Sequence, residues 1–68
     1  GEDSMVIING EEINAAGRTV SEQLSVQGLD FNRVAVMYND VILEKSSYAA
    51  TVMQDGDTVE IVGFVGGG

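Results

Sequence analysis

Apolar residues in this chain fall into short clusters separated by Gly, Asn and Asp, and most clusters alternate with a period of two. The first, Met5-Val6-Ile7-Ile8, is β-branched and is followed by Asn9-Gly10. Asn-Gly is a strong two-residue hairpin signal because both central positions take positive φ, so a second strand is expected over Glu11 to Ala15. Arg18 precedes Thr19-Val20-Ser21-Glu22, in which the Thr19 hydroxyl and the Glu22 carboxylate have the spacing of a helix capping box. Val20 and Leu24 then share one helical face, and the helix is expected to run to about Gln27. Gly28 suits a left-handed C-terminal cap, with Leu29 folding over the last turn. Val34 to Asn39 alternates again and turns at Asn39-Asp40 into Val41-Ile42-Leu43. Ser46 to Thr51 reads as a short 3₁₀ or irregular crossing with Tyr48 anchored in the core. Asp55-Gly56 is another turn, launching Thr58-Val59-Glu60-Ile61-Val62 and continuing through Gly63-Phe64-Val65.

The expected order is β-β-α-β-β-(3₁₀)-β, with the last strand returning to the middle of the sheet. That is the α+β plan of a ubiquitin-like β-grasp, a mixed sheet of about five strands packed on one helix. One domain is expected over residues 5–65, preceded by an expression scar over 1–4 and followed by a flexible glycine tail over 66–68. The 68 residues leave room for no second domain.

Composition narrows the chemistry. The chain has no cysteine and no histidine, which removes thiolate nucleophiles, Fe–S clusters, His-based zinc sites and Ser-His-Asp triads. No catalytic residue and no metal ligand set is expected, and the protein is not expected to be an enzyme or to bind a cofactor. Asp55 and Asp57 flank a glycine and are read as turn residues in preference to cation ligands. Eleven acids against three bases give a net charge of −8, and setting Glu2 and Asp3 aside still leaves −6. Arg18, Arg33 and Lys45 are too few for a phosphate-backbone footprint, so no nucleic acid is expected. An acidic surface favours protein partners with basic docking faces. No apolar run is long enough for a membrane helix, and no signal peptide is evident, so a cytoplasmic protein is expected.

The tail carries the candidate chemistry. Gly66-Gly67-Gly68 follows the final strand directly. With Val65, four residues at ~3.3–3.6 Å each give a reach of roughly 13–14 Å, enough to enter a narrow active site. An ionised α-carboxylate attacks the α-phosphate of ATP once an enzyme aligns the two, forming an acyl adenylate open to sulfur. A bare glycine leaves that carbonyl uncrowded.

From Met5 onward the chain resembles the ThiS family of sulfur carriers. The resemblance rests on Ile8-Asn9-Gly10-Glu11, Thr19-Val20-Ser21-Glu22, Val34-Ala35-Val36 leading to Asn39, and above all Asp55-Gly56-Asp57-Thr58-Val59-Glu60-Ile61-Val62 followed by Gly63-Phe64-Val65-Gly66-Gly67-Gly68. Tyr38 and Asp40 depart from the aliphatic residue and Gly frequent in the family, which bears on the turn type. The resemblance implies a role in thiamine biosynthesis. A ThiF-like enzyme would use ATP to adenylate Gly68, a sulfur-delivery protein would supply the sulfur that makes the thiocarboxylate, and a ThiG-like thiazole synthase would accept it. A MoaD-like carrier for molybdopterin, a ubiquitin-like modifier and a β-grasp module with an inert tail remain alternatives.

Alternation in the strands adds a candidate docking surface. If Val59 and Ile61 face the helix, Glu60, Val62 and Phe64 face away. Likewise Val34, Val36 and Tyr38 point inward while Ala35 and Met37 point outward. Ala35, Met37, Val62 and Phe64 would then form an apolar patch just before the tail.

Overall fold

The computed structural model describes residues 4–63. Strand β1 (Met5–Ile8) turns at Asn9 and Gly10, whose φ values of 51° and 84° are those of a tight left-handed hairpin turn, into β2 (Glu11–Asn14). Helix α1 (Val20–Val26) opens on the expected capping box: Glu22 N–H donates to Thr19 Oγ1 at 3.0 Å, and Thr19 N–H donates to Glu22 Oε1 at 2.8 Å. It closes at Gly28 (φ 72°), where Leu29 N–H donates to the Leu24 carbonyl at 2.9 Å, the long bond of a Schellman cap. Strand β3 (Val34–Tyr38) turns at Asn39 and Asp40, both with positive φ, into β4 (Val41–Leu43). The turn type is therefore the left-handed one despite Asp40, because aspartate tolerates that region better than most side chains. A 3₁₀ turn over Lys45–Ser47 leads through Tyr48 towards β5 (Thr58–Gly63).

The sheet order is β2-β1-β5-β3-β4, so the last strand lies in the centre. β1 and β5 are parallel, and the other pairs are antiparallel. α1 covers one face. Val6, Ile8, Val36, Val59 and Ile61 from the sheet meet Val20 and Leu24 from the helix, with Tyr48 and Met53 closing the flank. Leu24 is fully buried, which by area is worth about 2–3 kcal/mol. Gln23 is the one buried polar residue among those described, and its Oε1 accepts from Arg18 Nη1 at 2.8 Å. Tyr48 is the core anchor expected of it, with Phe31 packed edge-on at 6.0 Å.

Three features were not legible in the pattern. A second 3₁₀ turn, Phe31–Arg33, precedes β3, capped by Asp30 Oδ1 on Asn32 N–H at 2.8 Å. The entry to α1 also pairs with the segment before β5: Gly17 N–H donates to Met53 O at 2.8 Å and Met53 N–H to Arg18 O at 2.8 Å. At the other end, Ala16 N–H donates to Ser4 O at 3.0 Å, so backbone pairing begins one residue before Met5.

Candidate functional site: the central strand and its outer face

β5 leads into residues 64–68, so whatever holds β5 also sets the root of the C-terminal segment. Phe64, Gly66, Gly67 and Gly68 lie outside the described residues. The start of β5 is tied down by a polar cluster. Asn39 N–H donates to Thr58 O at 2.7 Å, and its side-chain Oδ1 accepts from Thr58 N–H at 2.8 Å. Asn39 Nδ2 donates to Asp57 Oδ1 at 3.3 Å, and Gln54 N–H donates to Asp57 Oδ2 at 2.8 Å. The Tyr38 hydroxyl donates to the same carboxylate and also approaches Val52 O at 3.3 Å. Asp57 is thus a turn anchor, as the sequence implied, and Asp55 accepts from Met5 N–H at 3.2 Å. Among the described residues no group of three His, Cys, Asp or Glu is placed to hold a metal.

The cluster sets its own ionisation. Burial pushes the Asp57 carboxyl up, but hydrogen bonds from Tyr38, Gln54 and Asn39 outweigh it, leaving it below the usual carboxylate value. Burial, the bond to Asp57 and the Asp57 charge push Tyr38 up to about 12. Both shifts favour the same state, a neutral phenol donating to an ionised carboxylate. Tyr38 packs against the core as expected, but its hydroxyl leaves the core for this cluster.

On the sheet face away from α1, Ala35 lies opposite Val62 and Met37 opposite Glu60. The structure therefore brings together the three described members of the sequence-derived patch: Ala35, Met37 and Val62. It also adds a residue the sequence reading passed over. Ile42 lies opposite Met37 on β4 and is 75% exposed, the most open large apolar residue described. Its facing depended on the register of β3 against β4, and that register follows from the Asn39-Asp40 turn. Glu60 interrupts the apolar surface on its β1 side. A second missed residue is Asn9, whose amide reaches Ile61 across 52 positions of sequence.

The sequence matches the ThiS family over residues 6–68. A thiazole synthase of Paramagnetospirillum magneticum is 50% identical over 64 residues, which are 93% of this chain but 20% of that protein. The chain thus spans only a fifth of that relative's length. The sulfur carrier protein ThiS of Thermus thermophilus is 34% identical over 64 residues, covering 94% of this chain and 100% of that protein. A crystal structure of the thiamine biosynthesis protein (ThiS) from Geobacter metallireducens shares the fold with a TM-score of 0.77 and 34% identity, over 94% of this chain and 99% of that one.

Proposed function

The chain belongs to the ThiS family of sulfur carriers in thiamine biosynthesis, and on that premise we propose that the sulfur rides on the terminal carboxylate of Gly68. The observation that carries this reading is the extent of the family match, which runs from Val6 to Gly68 and so takes in the whole glycine segment. A carrier of this kind needs no catalytic side chain of its own, which suits a chain without cysteine or histidine.

In the first step a carboxylate oxygen of Gly68 attacks the α-phosphate of ATP on a ThiF-like enzyme, and pyrophosphate leaves. A persulfide sulfur from a delivery protein then attacks the acyl carbon and AMP leaves. A thiol then attacks the delivery protein's sulfur in the resulting acyl disulfide, which leaves the thiocarboxylate on Gly68 and a disulfide between that thiol and the delivery protein. A thiazole synthase accepts that sulfur. Support for this last partner comes from the 50% identity to a segment of a thiazole synthase, since a carrier joined to its acceptor is held at high effective concentration.

The outer face of β3, β4 and β5 is the docking surface of this proposal. Ala35, Met37 and Val62 provide apolar area, Ile42 enlarges it, and Phe64 would extend it towards the tail. Glu60 at its border selects a partner with a basic residue facing it.

Intact-protein mass spectrometry tests the proposal. After incubation with ATP, a ThiF-like enzyme and a sulfur source, the expected mass gain is one oxygen exchanged for one sulfur. The gain should vanish when Gly68 is deleted. An unchanged mass beside a demonstrably active enzyme would overturn it. Capture by a thiazole synthase, and not by the large molybdopterin synthase subunit, separates this carrier from a MoaD-like one.

A further inference from the structure

The parallel ladder between β1 and β5 is built from Ile7 N–H donating to Asp57 O at 2.8 Å and Asn9 N–H donating to Val59 O at 2.9 Å. The next rung would require β1 to continue, but the chain turns away at Asn9 and Gly10. The Asn9 side chain supplies the rung instead. Its Oδ1 accepts from Ile61 N–H at 2.7 Å, and its Nδ2 donates to Ile61 O at 3.2 Å. A primary amide presents the same acceptor and donor as a peptide group, so Asn9 lengthens β1 by one unit without lengthening its backbone. Odd-numbered residues of β5 turn their backbone groups towards β1, and even-numbered ones towards β3. Ile61 is therefore the furthest point along β5 that the β1 side is seen to hold, two residues before Gly63.

We infer that Asn9 is a positioning residue for the C-terminal segment: a side-chain clamp that fixes the exit of β5 and so the approach of Gly68 to the enzyme that modifies it. The second half of this statement rests on the carrier reading of Gly68; the first half does not. A turn residue alone would need only the left-handed backbone, which glycine adopts more readily than asparagine. Asparagine serves the turn and the clamp together.

Two variants separate these roles. Asn9→Gly keeps the left-handed turn and removes the amide. The expected result is at least a tenfold faster exchange of the Ile61 amide, with the Leu24 and Val36 amides keeping their protection. Asn9→Asp keeps the acceptor but sets a carboxylate oxygen against Ile61 O. Protonation of that carboxyl restores a donor, so the Ile61 amide resonance of this variant should titrate towards its wild-type position as pH falls, while the unmodified protein shows no such step. In adenylation, Asn9→Gly should lower kcat several-fold with KM within twofold, because the docking face is untouched. Unchanged Ile61 exchange in Asn9→Gly, or no titration in Asn9→Asp, overturns the clamp. Unchanged kcat beside faster exchange overturns the positioning role. If the unmodified protein is not adenylated at all, the carrier reading fails, and exchange at Ile61 still decides the clamp.

Discussion

Tyr38 and Asp57 show how one hydrogen bond ties ionisation to folding. The Asp57 carboxyl is held below its ordinary value of 3.8 in the fold. It therefore contributes stability that is complete above the unfolded value and is lost as pH falls through the folded one. Tyr38 is raised from 10.0 to about 12. For this acid the neutral form is the one the fold prefers, so its contribution is complete below pH 10 and is lost as pH rises from 10 towards 12. Replacing Tyr38 by Phe should cost about 1 kcal/mol, since the cluster is partly solvated. It should also bring the Asp57 carboxyl closer to its ordinary value. Urea titrations at neutral and acid pH, with carboxyl shifts followed by NMR, read both effects. A variant as stable as the parent, with an unmoved Asp57, would mean that the bond is not formed in solution.

At the level of elements, α1 has only seven residues, too few to persist by intrinsic propensity. Its ends and its apolar face hold it. Thr19→Ala removes the acceptor for Glu22 N–H and should cost about 1 kcal/mol by urea denaturation, with the helix position unchanged. Leu24→Ala opens a cavity at the centre of the core and should cost about 2–5 kcal/mol. For a 68-residue domain, at roughly 0.05–0.15 kcal/mol per residue, that is a large share of the total stability. The capping box, the Gly28 stop and all five strands were legible because each depends on residues within a few positions. The Phe31–Arg33 turn was not, since an Asx cap on a three-residue element has no periodicity to announce it.

Across the whole molecule, one sheet face builds the core and the other carries half-buried Ala35 and Met37 beside exposed Ile42 and Val62. Ile42 is 75% exposed, so Ile42→Asp should shift stability by no more than about 0.5 kcal/mol. On the proposed carrier reading it should raise the KM for a ThiF-like enzyme severalfold. Phe64→Asp should act in the same direction, and the two together should be close to additive if they contact different parts of the partner. Turnover of folded Ile42→Asp at the parent KM would remove β4 from the proposed docking surface, leaving β3 and β5. Among the described residues, no helix is long and apolar enough to cross a membrane.

The sequence by itself determined the elements, their order and the burial of alternate residues. Turn chemistry and hydrophobic period act between near neighbours, and both are written in residue types. It also nominated the glycine tail as the candidate place for chemistry, on its bare terminal carboxylate and the family resemblance. Only the tertiary structure decided which side chains meet on the outer face, because cross-strand neighbours such as Met37 and Ile42 follow from register. It alone disclosed that Asn9 holds Ile61 and that Tyr38 holds Asp57. Those bonds join residues 52 and 19 positions apart. A polar side chain in a turn carries no local sign of a distant partner; closure of the sheet around β5 brings the two together.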